Sequence, residues 1–215
     1  MPTDHVDREG SPALIPQGGA VHRFILDWFA RTGRSPGLED IRSQFELANL
    51  KDAEAALTEL ERRGSIHRSA GDPFITHAYP FSNAPTQHRV RLEGGPEVYA
   101  MCAIDALGMP FMLAKDADIV SACQQCGNDI EVQVASGEIT HKMPEGIAVW
   151  YGVAKEGCVA ATDLCPDLNF FCSEEHLRTW ADERSDRAGE MLTLDGALQR
   201  GREVFEKLMQ EPHSF

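Results

Sequence analysis

A change in hydrophobic period constrains this chain more than any other feature. Val21, Phe24, Ile25, Trp28 and Phe29 recur at the spacing of one helix face until Gly33 stops the run. A Ser35-Pro36 turn leads into a short helical run with Ile41 and Phe45. Ala53, Ala56, Leu57 and Leu60 then mark a third helix ending at Gly64. From there the period falls to two: residues 65–68 and 74–79 alternate as strands around Gly71-Asp72-Pro73. Three helices followed by a two-stranded ribbon is the order of a winged helix. Ahead of it, residues 1–19 hold Pro2, Gly10, Pro12, Pro16, Gly18 and Gly19 without apolar periodicity, which predicts a loose arm.

Residues 81–85 read as a linker to a second region. Strands are expected at 88–92, 98–100, 118–122, 130–134 and 147–153, and residues 101–113 are dense in small and apolar side chains. Ser173 can cap a helix over 174–183, and a last amphipathic helix places Ala197, Leu198, Val204, Phe205 and Leu208 on one side. The expected class is α+β: a winged-helix-like three-helix domain over 20–80, then an α+β domain of mixed or antiparallel strands over 81–215.

Charge narrows the function. With 20 Lys+Arg against 34 Asp+Glu the net charge is −14, which repels phosphate backbones over most of the surface. The third helix carries Lys51, Arg62 and Arg63 against Asp52, Glu54, Glu59 and Glu61, where a DNA-reading helix needs a basic face. A packing or dimerising role fits that helix better, and no nucleic-acid partner is expected. No stretch approaches the roughly 20 apolar residues that span a bilayer, and the first residues lack a signal peptide's apolar core. A cytoplasmic protein with no membrane partner is expected. In such a reducing compartment the six cysteines are free, metal-binding or reactive more readily than paired.

Three cysteine constellations can carry chemistry. Cys102 and Asp105 stand three apart, so on a helix a thiol and a carboxyl share one face and can exchange a proton. An inward cysteine beside a capping aspartate has the same spacing. Cys165 is fixed by Pro166 and followed by Phe170-Phe171, apolar surface that can exclude water around a sulfur; a structural cysteine beside a core aromatic pair looks identical. Finally, a Cys123-x-x-Cys126-Gly127 turn and Cys172 four residues before His176 make a four-ligand set of the structural-zinc type, the alternative being unligated thiols in a turn. Cys158 follows Gly157 in a loop with no evident partner.

At these cysteines the chain resembles the organomercurial (alkylmercury) lyases. The resemblance rests on Tyr99-Ala-Met-Cys-Ala-Ile-Asp-Ala-Leu-Gly-Met-Pro110, on Ser121-Ala-Cys123 with Gly127, on Cys165 ahead of Phe170-Phe171 and Trp180, and on the closing Gly201-Arg-Glu-Val-Phe205 helix. It implies a winged helix joined to an α+β domain, no organic cofactor, a small organomercurial as substrate and protonolysis of its carbon–mercury bond. Cys102 and Cys165 then bind mercury, Asp105 relays the proton, and Hg(II) is the bound product until a soluble thiol accepts it. Cys126 and Cys172 are thiols beyond the family's pattern. They leave room for a non-enzymatic soft-metal or zinc-binding protein on the same scaffold, and the winged helix for a metal-responsive regulator.

Overall fold

The computed structural model describes residues 18–69, 74–152, 165–184 and 188–209. Three helices come first, α1 (Gly18–Thr32), α2 (Leu38–Gln44) and α3 (Leu50–Arg62). Their apolar stripes meet: Ile25, Phe29, Ile41, Ala53, Leu57 and Leu60 are buried, as 3.6-residue periodicity requires. Asn49 caps α3 by accepting from the Asp52 amide. The charges of α3 are largely satisfied locally, because Arg62 and Arg63 pair with Glu59, and Arg68 pairs with Glu54 and Glu61.

The strands that follow are β1 (Ile66–Arg68), β2 (Ile75–Ala78), β3 (Phe81–Ser82), β4 (His88–Leu92) and β5 (Glu97–Ala100). Beyond helix α4 (Ala103–Leu113) come β6 (Ala117–Ala122), β7 (Asp129–Ala135) and β8 (Glu138–Met143). All eight form one sheet in the order β1-β2-β3-β5-β4-β6-β7-β8, and every pairing is antiparallel. The ribbon after α3 is therefore continuous with the main sheet. Residues 81–82, expected within a linker, are instead strand β3: Phe81 is fully buried and stacks on Phe29 of α1 with ring centroids 5.2 Å apart. Burying an aromatic ring at this crossing outweighs the loop tendency of the neighbouring Asn83 and Pro85.

Period-two alternation in β4, β6 and β7 turns one face of the sheet inward. That face is covered by α4, of which Ala103 to Pro110 are all buried. The other face carries Arg89, Arg91, Asp118 and Glu131 around a solvent-open depression with no thiol in its lining.

A second sheet, β10-β9-β11, is built from β9 (Ala148–Gly152), β10 (Phe170–Phe171) and β11 (Gly189–Thr193). Helix α5 (Glu174–Asp182), capped by Ser173 as its spacing predicts, lays Trp180 on Phe171 and Trp150. Helix α6 (Leu194–Phe205) packs along α4 so closely that a Cβ on Gly201 comes within 2.9 Å of the Gly108 amide nitrogen. Val204, expected on the buried side of α6, is 41% exposed, whereas Ala197, Leu198 and Phe205 are buried. Strands β8 and β11 had no clear hydrophobic signal, and both are mostly exposed. The arm over 1–17, the turn over 70–73 and Cys158 lie outside the described residues, while Gly18 and Gly19 already belong to α1. Among the described residues no helix is long and apolar enough to cross a membrane.

Candidate active site

Cys102 is the N-cap of α4. Its backbone is extended (φ −153°, ψ 177°) and its sulfur accepts the Asp105 amide at 3.3 Å. The helix start thus fixes both chemical groups at once: the cap needs a side-chain acceptor at 102, and the residue three positions on sits in the first turn over it. Cys102 and Asp105 are wholly buried.

Cys165 opens a single 3-10 turn (Cys165–Asp167) that leads into β10. Two backbone bonds set its position. The Leu168 amide donates to the Cys165 carbonyl at 3.1 Å, and the Ala103 amide, an orphan donor of the first turn of α4, donates to the Leu168 carbonyl at 2.9 Å. The first turn of α4 and the cysteine turn are thereby clamped together. Cys165 Sγ donates to Asp105 Oδ2 at 3.6 Å, and the ligand atoms of Cys102, Asp105 and Cys165 all lie within 4.8 Å of one another. Asp105 Oδ1 has no hydrogen-bond partner among the described residues.

Burial governs the protonation of this cluster. It pushes the Asp105 carboxyl up to about 7, while the neighbouring Cys102, Cys165 and Tyr79 side chains pull the other way. Burial also drives the Cys102 thiol well above its ordinary range, assisted by Cys165 and Asp105. Cys165 is pulled down by its hydrogen bond with Cys102, but burial and the Asp105 charge outweigh this, and its net shift is upward. Two protonated thiols and a carboxyl that titrates near neutrality are the resting arrangement.

One further residue belongs here that no motif announced. Tyr79 stands in the turn between β2 and β3. Its phenol is pushed far up first by burial and then by the negative charges of Asp105, Cys102 and Cys165. Its ring packs on Phe205 of α6 at 5.0 Å. A lone tyrosine 23 positions before the first cysteine gives no spacing signal, so only the tertiary structure brings it to the site.

The other described cysteines gather separately. The ligand atoms of Cys123, Cys126, Cys172 and His176 also lie within 4.8 Å of one another, a set that can hold a metal ion such as zinc. The described cysteines are all free of disulfides. His88, buried beside this region, meets Ser121 Oγ at 2.9 Å through Nδ1, and burial lowers its pKa to about 4, so it is a neutral core histidine.

Comparison with known proteins places this geometry. The family model for alkylmercury lyases matches residues 81–206, more than half of the chain. An alkylmercury lyase of Bacillus cereus is 27% identical over 118 residues, covering 55% of this chain and 53% of that protein. One from Streptomyces lividans is 25% identical over 152 residues, covering 71% and 65%. The chain thus spans about half the length of the first of these relatives and somewhat more of the second. The crystal structure of the mercury-bound form of MerB2 superposes with a TM-score of 0.77 at 29% identity, covering 91% of this chain and 92% of that one. The stretch that the family model matches contains both cysteines and the aspartate of the buried cluster, and the chain belongs to the alkylmercury lyase family.

Proposed function

We propose that the protein cleaves a carbon–mercury bond by protonolysis, giving a hydrocarbon and Hg(II). The observation that carries this reading is the enclosure of two thiols and one carboxyl, mutually within 4.8 Å, in a fully buried site. Mercury is soft and prefers thiolate sulfur, and two sulfurs this close can grip one atom.

One thiol displaces the weaker ligand X of R–Hg–X, and its proton leaves as HX. The Asp105 carboxylate takes the proton of the other thiol, for which the 3.6 Å contact with Cys165 Sγ is already in place. The second thiolate adds to mercury and pushes electron density onto the bonded carbon. Asp105 then delivers its proton to that carbon, the carbon–mercury bond breaks, and R–H leaves Hg(II) held by Cys102 and Cys165. A carboxyl with its pKa at about 7 suits this relay, because it accepts and returns a proton at neutral pH with little cost in either direction. A soluble thiol then takes the Hg(II), which fits a reducing, cytoplasmic setting. In this reading residues 81–215 carry the chemistry. Residues 20–80 form the winged-helix-like unit, whose strands β1 and β2 extend the main sheet and which contributes Tyr79, and its paired arginines argue for no role on DNA.

The test is product release. Purified, reduced protein incubated with phenylmercury should yield benzene, and methylmercury should yield methane. Yields no greater than those of a Cys102→Ala variant would refute the activity.

A further inference from the structure

We propose that Cys123, Cys126, Cys172 and His176 bind one zinc ion in a closed structural site that staples the β6–β7 turn to the start of α5. None of the four belongs to the buried Cys102, Asp105 and Cys165 cluster, and the inference does not rest on carbon–mercury cleavage.

Two of three ligand separations lie close to the edges of a tetrahedron around zinc, and the third is shorter. Zinc bound at about 2.3 Å to sulfur and about 2.0 Å to nitrogen sets ligand edges of about 3.8 Å between sulfurs and about 3.5 Å between sulfur and nitrogen. Cys126 Sγ and Cys172 Sγ are 3.7 Å apart, Cys123 Sγ and His176 Nδ1 3.7 Å, and Cys172 Sγ and His176 Nδ1 3.0 Å. The sulfur–sulfur separation is far beyond the roughly 2.05 Å of a disulfide. Three thiols and an imidazole select a soft or borderline ion in four-coordination and reject magnesium and calcium, which need oxygen ligands.

The backbone holds the ligands in place before any ion arrives. At the end of β6 the Gly127 amide donates to the Cys123 carbonyl and the Cys123 amide to the Asn128 carbonyl, both at 2.8 Å. Gly127 has φ +75°, a conformation glycine adopts without strain, and the tight turn it closes keeps Cys123 and Cys126 together. On the other side Ser173 caps α5 by accepting the His176 amide at 3.2 Å, so the first turn carries His176 back over Cys172. Cys123 is buried and Cys126 exposed, which gives the ion a route in from solvent.

Such a staple has a use. The Gln124 amide, within the same turn, donates to the Phe170 carbonyl at 3.0 Å, and Gln87 Nε2 reaches both Gln124 Oε1 and Asn169 Oδ1. Residues 169–170, just ahead of Cys172, are thus tied to the main sheet by these few hydrogen bonds, and a metal cross-link adds the binding energy of the ion to that junction.

The experiment is metal analysis of the full chain, expressed with zinc in the medium and purified under reductant without chelator. About one zinc per chain is expected. A Cys102→Ala/Cys165→Ala variant should retain it and a Cys126→Ser/His176→Ala variant should lose it. Cobalt exchanged into the unmodified protein should show the visible bands and sulfur-to-metal charge transfer of a tetrahedral thiolate site, which keeps the test decisive if the second variant fails to fold. Removing zinc from the unmodified protein should lower its melting temperature. Protein that is zinc-free and takes up neither zinc nor cobalt, a Cys126–Cys172 disulfide persisting under reductant, or zinc lost on replacing Cys102 and Cys165 would each overturn the assignment. Zinc present without hydrocarbon release would keep this site and reject the lyase reading alone.

Discussion

Cys165 Sγ lies 3.6 Å from Asp105 Oδ2 although 60 positions of chain separate them. Both groups are buried, so the energy of the pair is set mainly by protein and not by water. The thiol donates to the carboxyl across this contact, and in the reaction proposed for this site Asp105 takes that proton once the other sulfur has captured mercury.

Replacing Asp105 with Asn keeps the shape and removes the proton relay. The Asp105→Asn variant should still bind mercury through two thiols, with hydrocarbon release slower by about 100- to 10,000-fold, the range for a positioned acid–base group. Single-turnover product release measured beside mercury retention on a desalting column checks both halves. An unchanged rate would exclude Asp105 from the mechanism.

Cys102 has two duties that serine separates. A serine hydroxyl also accepts the first-turn amide of α4, so Cys102→Ser should retain the fold with a stability change within about 2 kcal/mol. Hydrocarbon release should fall to the rate without protein, because a hydroxyl does not capture a soft ion. Thermal unfolding and product assays on the same preparation distinguish loss of chemistry from loss of structure.

Asp105 and His88 make opposite contributions to stability as pH changes. The Asp105 pKa rises from 3.8 to about 7 on folding, so its contribution is full below about pH 4 and is lost as pH rises towards 7. His88 falls from 6.5 to about 4, so its contribution is present above pH 6.5 and is lost as pH drops towards 4. Asp105→Asn removes the first contribution alone. From pH 4 to pH 7 the stability of this variant relative to the unmodified protein should improve, by up to about 4 kcal/mol. Urea unfolding at both pH values measures it, and parallel pH profiles for the two proteins would show that the carboxyl is not held protonated.

The contact between α4 and α6 tolerates no added atom. A Cβ at Gly201 meets the Gly108 amide nitrogen at 2.9 Å and the Ile104 carbonyl at 3.1 Å, and backbone cannot step aside as a flexible side chain can. Gly201→Ala should cost about 1–3 kcal/mol. Because α4 carries Asp105 in its first turn, hydrocarbon release should fall with stability. Denaturant titration gives the first quantity. A stability equal to the unmodified protein would mean that the helices can separate freely.

Most helices, several strands and the Ser173 cap were legible because each is specified locally, by a period of 3.6 or 2 or by a single capping side chain. Residues 81–82, β8 and β11 were not. The first became strand because Phe81 is buried against Phe29, a partner 52 positions away. The other two are exposed strands whose pairing is made by backbone, which leaves little hydrophobic trace.

The sequence alone determined which groups can do chemistry: the spacing of Cys102 and Asp105, the Cys123-x-x-Cys126 turn, and Cys172 four residues before His176 are each contained within one or two helical turns or a single tight turn. Only the tertiary structure decided which of them meet. It brought Cys165 to Asp105 through the Ala103–Leu168 backbone bond, drew Tyr79 into the same pocket and kept the second thiol cluster apart. The physical reason is that local spacing fixes direction within one element. Distance between elements, and the burial that sets whether a thiol or carboxyl holds its proton, arise only when sheets and helices close on one another.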